Sequence, residues 1–364
     1  MNKIVNHNNH LNFFRFLFAL QVLYFHTQGW LELPKGGVMF DFLALFPGVP
    51  LFFMVSGFLI ADSYLNSTSL KQYFVKRGLR IYPALALNIL ILELAMYIGG
   101  NMTGNHISII QYIIYFFTYV ATASNGIAST LIGLKGTDIY SQSAFFHDYP
   151  SGVLWTLTVE LSFYLLLPMV LFLKNTKVKN TLLSLLVVVS ITITLYISSY
   201  GAKEFYESSA IAKLLHISIL PYFWIFGLGV FMRLYWESIQ KYLVGYGVYY
   251  LGAYLLYSFG VLYFFDTLGN YKTELYFSTI VQTILLAFAM FSMAFSYTKI
   301  KFNRKIDLSY STYLYHMLIV QILIGFGITG SWYLYLVVTG ATFAIAYLSW
   351  TYVEKPMLKL KRVK

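Results

Sequence analysis

The feature that most constrains this chain is a succession of apolar runs, each close to the roughly 20 residues a helix needs to cross a bilayer. About ten such runs follow one another, near 11–28, 43–62, 79–98, 153–173, 181–200, 211–232, 242–265, 275–297, 308–328 and 331–351. Of the 364 residues, 59% are hydrophobic and only 11% charged, whereas a soluble domain carries about 25% charged residues. That much apolar surface does not fit inside a water-soluble core, so part of the solvent is lipid. The expected fold is an all-α polytopic membrane protein with about ten transmembrane helices. The 33 Tyr and 32 Phe suit it, because a tyrosine ring sits at the membrane–water interface with its hydroxyl wet.

The net charge is +11. In a soluble protein that would point to nucleic acid. Here the Lys and Arg lie between apolar runs, and no helix-turn-helix, zinc-finger or RNA-binding signature accompanies them, so nucleic acid is not an expected partner. Basic residues cluster at Lys71, Lys76, Arg77 and Arg80, at Lys174, Lys177 and Lys179, at Arg233 and Lys241, at Lys299, Lys301, Arg304 and Lys305, and from Lys355 to Lys364. The positive-inside rule puts all of them in the cytosol. An even number of crossings then separates Arg80 from Lys174, and runs 79–98 and 153–173 supply both. The further apolar run at 107–122 is therefore expected to be a re-entrant or partial helix within an external segment, 99–152. Non-spanning stretches of that length are often functional. The reading is one membrane domain, 1–364, with both termini cytosolic and a short tail, 352–364. The polar start, Met1 to His10, lacks a small-residue cleavage pattern, so the first span is expected to be retained. With no cysteine in the chain, disulfides, thiolate metal sites and a Cys nucleophile are excluded.

Ionisable residues inside spans are costly and point to function. Arg15 and His26, eleven residues apart, return to within about 20° of one helix face, with a rise of roughly 16 Å between them. The competing readings are an arginine snorkelling to the headgroups and an interfacial histidine. Glu160 lies roughly 10 Å below the outer surface, a depth at which it could orient His26; otherwise it is a hydrogen-bonded structural carboxyl. Arg77 and Arg80 suit bidentate phosphate contacts, or are a plain topogenic cluster. Ser56, beside Gly57, suits helix packing or a contact across helices. His316 lies about two turns inside the ninth span. Glu354 opens the tail, where a surface ion pair is the simplest role. No Walker loop, dinucleotide fingerprint, HExxH or local metal-ligand cluster is present.

The order of these blocks resembles the acyltransferase 3 family of membrane O-acyltransferases along nearly the whole chain. AsnPhePheArgPheLeuPheAlaLeuGlnValLeuTyrPheHis fits its Arg-x10-His pattern through Arg15 and His26, and ArgGlyLeuArgIleTyrPro, 77–83, fits its Arg-x-x-Arg motif. GlyValProLeuPhePheMetValSerGlyPheLeuIle, LeuTrpThrLeuThrValGluLeuSerPheTyr, SerTyrSerThrTyrLeuTyrHis and TyrValGluLysPro resemble further blocks in the expected order. Pro50 departs from it, standing where a polar residue is common, and no hydrolase-like domain follows the tenth span.

The resemblance implies ten core spans and transfer of an acyl group, often acetyl, from cytosolic acyl-CoA to a hydroxyl of an envelope carbohydrate. Acyl-CoA is then a donor substrate rather than a resident cofactor, and the partners are acyl-CoA, a carbohydrate acceptor and membrane lipid. In this reading His26 is the general base, with an unperturbed imidazole pKa near 6.5 suited to neutral pH. Glu160 assists it; Arg15, Arg77 and Arg80 hold the donor; Ser56, Trp155 and His316 line the acceptor side. The basic loops resemble those of a bacterial inner-membrane protein. The rival classes are a proton-coupled transporter of a sugar or lipid-linked glycan and a membrane scaffold.

Overall fold

A computed structural model describes residues 9–34, 37–103, 108–123, 151–265, 277–296 and 306–360. The basic stretch at 299–305, most of the segment 99–152 and the last residues of the tail lie outside the described residues. Among the described residues the regular structure is helical. Six segments are long and apolar enough to cross a membrane: Val38–Leu65, Leu70–Gly100, Leu154–Leu171, Thr176–Tyr200, Thr279–Ser296 and Leu334–Lys359. The first helix, α1 (Leu11–Trp30), has spanning length but carries Asn12, Arg15, Gln21, His26 and Gln28, and is not among the six.

The chain divides into two compact units. One contains α1 up to Phe18, α2 (Val38–Ala44), α3 (Gly48–Leu65), and α6 (Leu154–Leu171) from Val159 onward. It continues with α7 (Thr176–Tyr200), α8 (Ala202–Ser208), α9 (Ala210–His216), α10 (Phe223–Leu234), α11 (Trp236–Leu243), α12 (Gly247–Phe265) and α13 (Phe277–Ser296). Its tightest contact joins α3 to α10. A Cβ on Gly57 would stand 2.1 Å from the Phe226 carbonyl oxygen, and one on Gly229 would stand 1.9 Å from that of Met54. The two backbones touch because neither glycine has a side chain. Beside them Phe163 and Phe226 stack with centroids 3.6 Å apart, and Arg233 Nε donates to Asp62 Oδ1 at 2.7 Å. Arg233, expected as a topogenic charge, is thus a buried ion-pair partner. The run 211–232 is broken: α9 ends at His216 and α10 starts only at Phe223. Pro221 has no N–H to give a continuous helix and disfavours helical backbone at Leu220.

The other unit contains α1 from Ala19, α4 (Leu70–Thr103) from Phe74, α5 (Ile109–Thr122), the start of α6, α14 (Ser309–Gly325) and α15 (Leu334–Ser349). A π-helical turn, Trp350–Glu354, and α16 (Lys355–Lys359) complete it. Helix α4 begins nine residues before its apolar run, so Lys71, Lys76, Arg77 and Arg80 ride on helix rather than loop. Contacts between α4 and α14 advance together along both chains. Arg80 meets Asp307, the Ile81 carbonyl meets Tyr310, the Ala84 carbonyl meets Tyr315, and Leu92 packs on Leu318. The two helices are therefore parallel neighbours. Helix α5 is short for a crossing, at 14 residues, where roughly 20 are needed. A reciprocal Ser108–Gln111 capping box starts it, satisfying orphan N–H groups. It buries Tyr112, Tyr115 and Tyr119 and turns Ile109, Ile110, Ile113 and Phe117 outward. An apolar outer face of this kind fits lipid rather than water.

Candidate active site

Helix α14 is the axis of its unit: every residue from Ser309 to Leu318 is buried. A helix this polar would normally keep one face in water, and its buried hydroxyls are costly unless paired. The pairing runs to other segments. Tyr310 donates to the Ile81 carbonyl at 3.0 Å, and Tyr313 lies 2.7 Å from Thr156. Tyr315 donates to Ser349 at 3.0 Å and to the Ala84 carbonyl at 3.2 Å. Ser311 donates to the Glu354 carboxyl.

On this frame His26 and His316 meet. His26 Nδ1 lies 2.9 Å from His316 Nε2, and His316 Nδ1 lies 3.2 Å from the Thr312 carbonyl oxygen. The ring centroids are 5.1 Å apart with 30° between planes. That separation is about what two rings give when they point at each other through their nitrogens, so the contact runs along the ring edges. His316 has no exposed surface, while His26 is only partly buried. The ring bonded to His26 is thus a second imidazole. His316, expected on the acceptor side, has both nitrogens engaged, with His26 and with the backbone.

Nine residues before His316, and two before α14 begins, lies Asp307. It accepts from Arg80 Nη2 at 2.8 Å and from the Ser309 N–H and hydroxyl at the start of α14. The Arg80 guanidinium also stands over the Tyr310 ring, 5.9 Å from its centroid. Arg77, partly buried, precedes Arg80 by three residues and shares its side of α4. Sequence reasoning did not pick out Asp307; the available signal was its place two residues before the SerTyrSerThr block. Glu354 departs from its expected place. It is not a surface carboxylate but 2% exposed, accepting from Ser311 and, at 3.2 Å, from Ser349. The cause is the π turn at Trp350–Glu354, which widens the helix so that the side chain swings onto α14.

In the first unit, Glu160 Oε1 accepts from Ser56 at 3.1 Å and from Tyr164 at 2.9 Å. Ser56 is thereby a carboxyl partner as well as a neighbour of the Gly57 crossing. Trp155 sits five residues before Glu160 on α6, partly buried. Arg15 is partly buried on α1, three turns before His26. Among the described residues no three His, Cys, Asp or Glu side chains come together as a metal site.

The comparisons with known proteins agree with the block order. The acyltransferase domain of the acyltransferase 3 family matches residues 8–351. The chain belongs to that family. It is also 38% identical over 365 residues to nodulation protein 10 of Rhizobium leguminosarum bv. viciae, covering 98% of this chain and 94% of that protein. An uncharacterized protein of Haemophilus influenzae is 27% identical over 162 residues, 43% of this chain and 62% of its own. No solved structure matches. An acyltransferase 3 chain built of apolar helices is an integral membrane transferase, and the carrier class finds no support.

Proposed function

We propose that this acyltransferase moves an acyl group, acetyl first among the candidates, from cytosolic acyl-CoA to a hydroxyl of a cell-surface polysaccharide or other envelope glycan. His26 is the general base. It takes the acceptor's proton as the hydroxyl oxygen bonds the thioester carbon; the C–S bond breaks and the CoA thiolate leaves and is protonated. The observation that carries the reading is the partly accessible His26 ring, held edge-on by a second, fully enclosed imidazole.

Arg77 and Arg80 supply the phosphate station. The rise of roughly 10 Å along α14 from Ser309, just after Asp307, to His316 is within reach of a pantetheine arm. A guanidinium has five donors, so Arg80 can serve a phosphate alongside its protein partners. Arg15 adds positive potential on the His26 helix. Glu160, bridged by Ser56 and Tyr164, and Trp155 belong to acceptor binding in this reading. About ten crossings, with both termini cytosolic in a bacterial inner membrane, complete it.

The test replaces His26 with Ala and measures acylation of the glycan at matched membrane abundance. A fall on the order of 10²- to 10⁴-fold is expected for loss of a general base. Near-normal acylation would sink the assignment. Mass spectrometry of surface glycan from cells with and without the protein identifies acyl group and acceptor together.

A further inference from the structure

The contacts around His316 fix more than its position. A carbonyl oxygen has no proton and only accepts. The His316 Nδ1···O contact to Thr312 therefore puts a proton on His316 Nδ1. In a neutral imidazole the other nitrogen is then an acceptor, so His316 Nε2 presents a lone pair. That lone pair faces His26 Nδ1 at 2.9 Å, so the proton between the rings is carried by His26 Nδ1. One nitrogen of His26 remains, Nε2, and it is unprotonated. From these contacts we infer that His316 is a positioning residue. Through the chain Thr312 carbonyl, His316, His26 it selects the His26 tautomer whose Nε2 accepts a proton from the substrate hydroxyl.

The physical reason for burying His316 completely follows. Water at its Nε2 would offer a donor of its own and let His26 turn to the other tautomer. Enclosed on α14, His316 faces backbone carbonyls of its own helix, Thr312 at 3.2 Å from Nδ1 with Tyr313 beside it, and His26 at Nε2, and the direction of the hydrogen bonds is set by carbonyls that do not titrate. A partner with a fixed donor–acceptor direction orients a catalytic imidazole in this way, and the wrong tautomer is inactive. Two neutral rings also hold the chain without placing an ion among apolar helices.

The inference rests on His26 as the base, and its test separates the two. Protein carrying ¹⁵N-histidine is placed in lipid nanodiscs, and the His26 resonances are identified by their loss in His26→Ala. We expect a protonated Nδ1 and a bare Nε2 on His26. In His316→Met, which fills the space but offers no ring nitrogen, the His26 proton should move to Nε2 or divide between the two nitrogens. That variant should lose kcat by about 10²- to 10³-fold, with KM for acyl-CoA little changed. His316→Gln keeps an amide oxygen to accept from Nδ1 and should hold kcat within about tenfold of the parent. A His26 ring protonated on Nε2 in the parent, or Met and Gln variants with equal kcat, would overturn the inference. Full turnover by His26→Ala would instead remove the base reading, while the spectra decide the tautomer by themselves.

Discussion

A buried charge is tolerated in an apolar helix bundle only with a partner. The clearest case is Arg233, whose side chain is 6% exposed against 15% for its partner Asp62. Asp62 Oδ1 accepts both the Arg233 Nε and the Asn66 amide, at 2.7 and 2.9 Å. Removing one member strands the other: Asp62→Ala should lower stability by about 3 kcal/mol, whereas Asp62→Leu with Arg233→Met together should recover most of that loss. Thermal unfolding in detergent reads both. The double variant being no better than the single would show that the bond geometry, not the stranded charge, carries the effect. His26 and His316 likewise partner each other, Nδ1 to Nε2 at 2.9 Å.

At the scale of elements, the decisive contact is α3 against α10. Gly57 and Gly229 lie where a methyl group would overlap the opposite backbone. Such a clash is not relieved by a side-chain rotation, since the atoms met are carbonyl oxygens and amide nitrogens. Gly57→Ala and Gly229→Ala should each destabilise by about 3 kcal/mol or more, and should lower the folded yield on size-exclusion chromatography in detergent. Gly252, where a Cβ would meet nothing within 4 Å, is the control: Gly252→Ala should be neutral or slightly stabilising, as expected for alanine in a helix interior. Equal losses at all three positions would refute the close-crossing explanation.

For the whole molecule, the proposed orientation is testable without background, because the chain has no cysteine. Single cysteines at Thr68 and Lys174 should react with a membrane-impermeant maleimide only from the cytosolic side. One at Thr329, in the turn after α14, should react only from outside. Labelling of Thr329→Cys from the cytosol would reverse the arrangement and with it the donor path. The structure adds a local reason for the last expectation: the Gly330 N–H donates to the Leu31 carbonyl at 2.9 Å, so the α1 terminus nearest His26 and the α14–α15 turn share one end of their unit.

Much of this was legible in the residues themselves. A backbone with unmet hydrogen bonds is too costly in lipid, so long apolar runs fix helices wherever they occur, and all ten runs carry helix. The block order around Arg15, Arg77, Arg80, Glu160 and His316 marked the family. Periodicity does not say which side chains meet. It did not pair His26 with His316, which are 290 residues apart, or Arg80 with Asp307, because lipid-facing and protein-facing apolar surfaces are written with the same amino acids. It placed Glu354 on the surface, since a π turn leaves no pattern in hydropathy, and read 211–232 as one helix although Pro221 divides it. Sequence determined that the chain is built of apolar helices and that it belongs to the acyltransferase 3 family; only the tertiary structure decided which polar residues touch within each unit, because hydrogen-bond direction and burial are properties of the packed neighbours.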